Sequence, residues 1–292
     1  MKKRLNMNGI LIINKSKGYT SHDIVAKVKK ITGEKVGHTG TLDPLATGVL
    51  PLLIGKGTLC SKYLINHDKT YKVILKLGIK KSTGDEEGDI IQKEQVDKNI
   101  LNEKVVKNTL KDFIGEQEQI PPMYSAIKVN GKKLYEYARK GQKVEIKPRK
   151  ITIYAIQLLK IETEMQEIQF EVSCSKGTYI RSLCEDIAKK LGTIGYMKEL
   201  QRIRVGNFSM EQSIRIEDLT EEMIKEHIIT IEKLFKDLES IELNEKKLQL
   251  FLNGVKLNFS LQDGIYRICS HQQFIGIGIV KDKFLKRDII ID

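Results

Sequence analysis

Residues 37–48 read GHTGTLDPLATG, and the segment holds a single acidic group, Asp43, among three Gly, three Thr, one His and one Pro. Pro44 fixes its own backbone and confines Asp43 to an extended or turn conformation. Gly40 and Gly48 let the chain bend sharply or approach a ligand closely. Thr39, Thr41 and Thr47 can bond neighbouring backbone groups and stiffen the loop. Such a loop aims one carboxylate outward, and an ionised carboxylate can attack an electrophilic carbon or accept a proton. A second segment, CSKGTYIRSLCEDIAKKLG (174–192), supplies a partner. It ends a strand, turns on Gly177 and opens a helix with Thr178 as cap and Tyr179 and Arg181 in the first turn. An Arg fork at a helix N-terminus binds carboxylates or phosphates. On residue types alone, a plain Asp-Pro turn and a solvated surface Arg explain the same residues.

The remaining sequence must position these groups. GILIIN (9–14) reads as a buried strand. Thr20-Ser21 caps a helix whose Ile24, Val25, Val28 and Ile31 recur at helical spacing, ended by Gly33. VLPLLIG (49–55) is a second buried strand and TLCSKYLI (58–65) a short helix. KTYKVILKLG (69–78) is a strand with Tyr71, Val73, Leu75 and Leu77 on one face. STGDEEGDI (82–90) is an acidic loop, and Val96 to Ile114 reads as one helix. Residues 116–142 form a long loop with a short helix near Lys133 to Arg139. Strands follow at 151–161 and 166–175, a helix from Thr178 to Leu191, and a strand at 200–210. Acidic helical segments fill 215–238. A short helix ended by Gly254 and three strands then suggest a small module near 240–292. Strands and helices mix without βαβ regularity, so the class is α+β.

Fifty Lys and Arg stand against 38 Asp and Glu among 292 residues, a net charge of +12. A polyanionic partner suits this excess, as does a Lys-rich composition in general. The four cysteines (60, 174, 184 and 269) form no C-x-x-C pair and no Cys/His cluster, so neither a zinc site nor a disulfide framework is expected. The apolar run Ile10 to Ile13 is too short for a signal-peptide core, and no run spans a bilayer. A reduced, cytoplasmic, metal-free protein is the expectation.

Five segments then carry a resemblance. GHTGTLDPLATGVLPLLIG, KTYKVILKLG, IPPMYSAIKVNGKKLYEYARKG, CSKGTYIRSL and LQRIRVGNF, in that order, resemble the motifs of the TruB-type tRNA pseudouridine synthases over about residues 8–210. The resemblance implies a pseudouridine synthase fold with a mixed, mostly antiparallel central sheet in residues 1–238. It also implies a β-rich PUA-like RNA-binding domain in 239–292. It implies isomerisation of uridine 55 in the T-arm loop of tRNA, by a monomer that uses no cofactor, metal or membrane. Asp43 is then the essential catalytic residue, Arg181 its ion-pair partner, and Tyr71 the ring that stacks on the base and is placed to remove its C5 proton. Tyr179 and Leu200 fall at pocket positions and Gly40 in the catalytic loop. The target base must be flipped out of its loop, and His38 matches the residue that props the vacated space. Lys15, Lys17, Lys128, Lys132, Lys133, Arg139, Lys176, Arg202 and Arg204 become candidate phosphate contacts. Two departures stand out. Lys35-Val36 replaces an Arg-containing pair before Gly37, and Ser82 replaces an acid in the acidic loop, leaving Asp85 to orient Arg181 or the base. A T-arm-binding chaperone and a carboxylate-based glycoside hydrolase are the competing expectations; the hydrolase needs two carboxylates about 5–10 Å apart.

Overall fold

The computed structural model describes residues 5–142 and 144–291; the basic lead at residues 1–4 lies outside them. The strand Gly9–Lys15 is apolar on both faces because both faces are covered. Leu11 and Ile13 point into the main core, whereas Ile10 and Ile12 point into a second apolar cluster. It pairs antiparallel with Thr47–Ile54 from Gly9↔Ile54 to Lys15↔Gly48. From that pair grows a ten-stranded sheet. On one side the order continues through Gly195–Val205, Lys69–Leu77, Glu167–Cys174, Arg149–Glu162 and Gly115–Gln119. On the other side Ile214–Arg215 closes the edge, while Val36–His38 and Phe208–Ser209 pair with inner strands. Every pairing is antiparallel except Gly9–Lys15 with Ile214–Arg215 and Thr47–Ile54 with Gly195–Val205.

Two amphipathic helices cover the main core. Ser21–Thr32 starts with a capping box, Thr20 and Asp23 bonding each other's backbone, and stops at the left-handed Gly33. Ile180–Lys190 buries Leu183, Cys184, Ile187 and Ala188 with Ile24 and Val28 of the first helix in that core. The strand Lys69–Leu77 alternates as its sequence predicts, burying Tyr71, Val73, Leu75 and Leu77.

The segment 96–114 differs from the single helix expected. It is a 3-10 turn, Lys98–Leu101, followed by a helix, Glu103–Lys111. The Asp97 and Asn102 side chains accept from backbone N–H groups just ahead of them, and each starts a new element. Residues 58–65 likewise split into a 3-10 segment, Gly55–Cys60, and the short helix Ser61–Leu64. Gly115–Gln119, expected as loop, is the edge strand of the sheet.

Residues 240–290 build a second sheet in the order Ser240–Glu242, Gly264–Ser270, Gln273–Lys281, Phe284–Ile290, Leu257–Asn258, around a core that includes Phe251 and Tyr266. This C-terminal β domain docks on the back of the central sheet, where Ile277 and Ile289 join Ile10, Ile12 and Val49. Asp288 accepts from Lys62 and the Tyr63 hydroxyl across the joint. Tyr71 points to the opposite face and stays clear of this domain. No helix among the described residues is long and apolar enough to cross a membrane.

Candidate active site

The loop around Asp43 is pinned from three sides. The Ser21 hydroxyl accepts from the Leu42 amide at 2.9 Å and donates to the Leu42 carbonyl at 3.1 Å. Lys15 Nζ donates to the carbonyls of Ser16 (3.1 Å), Tyr19 (2.7 Å) and Pro44 (3.2 Å), and Gly18 N–H also donates to Pro44. Arg202 donates to the carbonyls of Val49 (2.8 Å), Thr41 (3.4 Å) and Gly40 (3.0 Å). Leu42, Leu45 and Ala46 anchor the loop in the core. Gly48, at φ +105°, lies so close to the next strand that a Cβ would stand 2.1 Å from the Arg202 carbonyl oxygen. Gly40 has no such constraint; its contribution is the carbonyl that Arg202 holds. Between these anchors Asp43 is left 36% exposed at its side chain.

Arg181 reaches Asp43 from the helix Ile180–Lys190. Its Nε lies 3.3 Å from Asp43 Oδ2 and its Nη1 lies 3.5 Å from Asp85 Oδ2. The guanidinium also donates to the Thr83 and Tyr124 carbonyls, at 3.3 and 2.9 Å. It is therefore buried, multiply bonded and fixed, not a solvated surface cation. Asp85 is buried as well and accepts from the Glu87 amide at 3.2 Å and from the Thr83 hydroxyl. Ser82 makes no ion pair; it closes the acidic loop with Asp89. Glu87 lines the same cavity, and desolvation, then the charges of Asp85 and Asp43, raise its pKa.

The helix cap differs from the expected one. Tyr179 occupies the N-cap position, and Thr178 instead donates to the Ser175 carbonyl within the turn. Gln119 clamps Tyr179 by accepting from its amide at 2.8 Å and donating to its carbonyl at 3.0 Å. Sequence reasoning missed Gln119, because its strand, GEQEQ, alternates without an apolar face.

Tyr71 and Arg202 are cross-strand partners, and Leu200 pairs with Val73 beside them. Burial pushes the Tyr71 phenol up to about 12, even with the Arg202 guanidinium next to it. Tyr71, Leu200 and Arg202, together with Asp43, Arg181 and Tyr179, line a cavity of about 960 Å³.

Other expected site residues fall elsewhere. His38 ends the strand Val36–His38, outside the cavity wall, and its Nδ1 accepts from the Gly40 amide at 3.3 Å. Burial, then the neighbouring His22, lowers its pKa; the two rings meet edge-on at 6.0 Å. Lys132 is exposed on a two-stranded hairpin, and the cavity takes Tyr135 and Arg139 from the following helix turn instead. Two phosphate candidates are corrected. Lys15 is fully buried, and its ammonium donates to three carbonyls, so it braces the Pro44 turn. Arg202 is 1% exposed and likewise holds loop carbonyls.

Residues 28–180 match the family model of the TruB family pseudouridylate synthase N-terminal domain. Residues 181–242 match that of the tRNA pseudouridylate synthase B C-terminal domain. The tRNA pseudouridine synthase B of Clostridium tetani is 48% identical over 279 residues, 93% of this chain and 95% of that protein. The protein of the same name from Francisella philomiragia is 42% identical across 99% of both chains. A chain in the crystal structure of a Cbf5-Nop10-Gar1 complex superposes with a TM-score of 0.71 at 26% identity, covering 98% of this chain and 86% of that one. With the family model spanning more than half of the sequence and full-length relatives at this identity, the chain belongs to the TruB family of pseudouridylate synthases.

Proposed function

We propose that this protein is a tRNA pseudouridine synthase that converts uridine 55, in the T-arm loop, to pseudouridine with Asp43 as its essential catalytic residue. The relatives named tRNA pseudouridine synthase B support the substrate class. One observation carries the catalytic assignment. Asp43 keeps a third of its side chain open while Arg181 fixes it on the wall of a cavity that exceeds a nucleoside in size.

The reaction breaks the N1–C1′ bond and forms C5–C1′; C5 loses a proton and N1 gains one. Atoms and electrons balance without a cofactor. Asp43 either attacks C1′ or removes the C2′ proton to give a glycal, and both acts start from an ionised carboxylate. Tyr71 stacks on the base. Its buried phenol remains protonated at neutral pH, which favours stacking over removal of the C5 proton. Leu200 and Tyr179 wall the base, and His38 stands beside the catalytic loop to prop the space left by extrusion, a step that costs about a few kcal/mol. Exposed Lys17, Lys128, Lys132, Lys176, Arg139 and Arg204 meet RNA phosphates. In this reading residues 1–238 form the catalytic domain and 239–292 a PUA-like RNA-binding domain, in a cytoplasmic monomer.

The test is Asp43→Asn, which keeps the shape and removes the charge. Incubated with an unmodified T-arm transcript, the wild type marks one uridine as pseudouridine by chemical mapping. The variant binds the RNA and leaves no mark. Near wild-type turnover by the variant refutes the role of Asp43. An unmodified transcript, or free uracil, after wild-type treatment refutes the activity itself.

A further inference from the structure

One end of the cavity carries more positive charge than its protein partners balance. Lys69 begins the strand that bears Tyr71, is only 8% exposed, and lines the cavity. Its Nζ donates to the His67 carbonyl, and no carboxylate among the described residues lies within ion-pair distance. Arg202 is buried beside it, also without a carboxylate in ion-pair distance among the described residues. A Cβ on Gly40 would lie 3.7 Å from Arg202 Nη1 and 3.9 Å from Lys69 Cε, so the catalytic loop rests against both cations. Lys176, across the rim, donates to Asn66 Oδ1 at 2.6 Å, and both residues line the cavity. Next to it Gly177 (φ +81°) presents open backbone, with nothing within 4 Å of where a Cβ would be. Burial, then the charge of Arg202, lower the pKa of Lys69; the Asp68 carboxylate, beyond ion-pair distance, opposes them, and Lys176 adds a smaller lowering.

Buried cations are costly unless an anion or hydrogen bonds compensate them. Arg202 has three carbonyls to satisfy it; Lys69 has one, and a lysine ammonium offers three donors. The acidic side chains of the cavity, Asp43, Asp85 and Glu87, are gathered around Arg181 instead. Lys69 and Tyr71 share one face of a strand, two residues apart, a rise of about 6.6 Å. A group bound at Lys69 therefore sits next to the ring that faces the base.

We infer that Lys69, backed by Arg202 and flanked by Lys176, seats a phosphodiester of the RNA strand adjoining the extruded uridine and so holds the ribose over Asp43. The inference rests on the proposed RNA substrate and adds a specific anion seat inside the cavity, centred on a buried lysine, with Lys176 the one exposed cation that takes part.

The test uses the full chain and a T-arm stem-loop in which each phosphate flanking the target uridine is replaced, one at a time, by a neutral methylphosphonate. With wild-type protein, one linkage should weaken binding by about tenfold and the others by less than about threefold. Lys69→Met should raise the stem-loop KM by about tenfold, and by more than it lowers kcat. It should lower the slope of log affinity against log salt by about 0.7 to 0.9. At the sensitive linkage the variant should lose nothing further. Lys69→Arg, which keeps the charge, should recover most of the affinity. Equal tolerance of all linkages by the wild type overturns the seat without any variant. So does a Lys69→Met protein with unchanged KM and salt slope, or one that loses binding equally at every linkage. If the wild type forms no pseudouridine at all, the functional reading falls first, and that outcome is distinguishable from these.

Discussion

Arg181→Lys keeps the charge beside Asp43 and removes the fork. The Arg181 guanidinium makes four contacts in different directions, to Asp43 at 3.3 Å, Asp85 at 3.5 Å, Thr83 O at 3.3 Å and Tyr124 O at 2.9 Å. An ammonium places its donors on one atom and cannot span that set. Asp85 is the more buried partner, so a lysine settles toward it and releases Asp43. A hydrogen bond to a charged group contributes about 1.5–3 kcal/mol. Because Asp43 is 36% exposed, water screens its share, which places the loss near the lower end, about 1.5–2 kcal/mol. At about 1.4 kcal/mol per decade, kcat falls about ten- to thirtyfold. The assay is single-turnover release of tritium from C5 of the target uridine in a T-arm stem-loop at saturating enzyme, with Kd measured in parallel. Kd should stay within about threefold, since in the proposed reaction the lost contact orients Asp43 and does not hold the RNA. A rate within twofold of wild type, or a defect confined to Kd, refutes the argument that fork geometry aims Asp43.

Two further predictions follow from the loop's anchors. Gly48→Ala combines a strained φ with a Cβ 2.1 Å from the Arg202 carbonyl, so the variant should lose about 3 kcal/mol of stability in urea unfolding; an unchanged midpoint refutes the close approach. For Lys15, burial lowers the pKa to about 8, against 10.5 when unfolded. Between those values the unfolded chain binds the extra proton, so this group makes the wild type more stable as pH rises from about 8 toward 10.5. Lys15→Met removes that increment, and the urea-unfolding gap between the two proteins should move in favour of wild type across this range; a constant gap refutes it.

The periodic elements were legible in the sequence because one period governs each of them. Lys69–Leu77 buries every second residue, and Ser21–Thr32 carries a capping box, a helical apolar stripe and a terminal Gly. The segment 96–114 was misread because apolar spacing outvoted two cap residues, Asp97 and Asn102, that restart the chain. Gly115–Gln119 was missed because an edge strand needs no apolar face when Arg149–Glu162 supplies its hydrogen bonds. At the site, Asp43 and Arg181 stood out through the loop chemistry around them. Lys15 and Arg202 looked like surface cations because residue type does not disclose burial. Lys15 ends a strand that buries both faces, and Arg202 sits on an inner strand, and both facts depend on the sheet order. Lys69 had a readable signal: it lies two residues before Tyr71 in an alternating strand and so shares its face.

The hydrolase expectation turned on the two carboxylates that Arg181 holds. Asp43 and Asp85 bind the same guanidinium, and a count alone would match a two-carboxylate enzyme. Their environments separate them. Asp85 is buried and its oxygens are occupied by Arg181, the Glu87 amide and the Thr83 hydroxyl, so it has little capacity left for a water or a sugar. Asp43 takes Arg181 on Oδ2 and keeps a third of its side chain open. An inverting hydrolase needs a second free carboxylate to activate water, and a retaining one needs a second to protonate the leaving group. Asp85 is placed for neither task. It is placed to fix the far side of Arg181, so that the near side holds Asp43. Asp43, held by that guanidinium and open to the cavity, suits the proposed reaction, in which the departing base is not replaced by water but returns to the same carbon through a different atom.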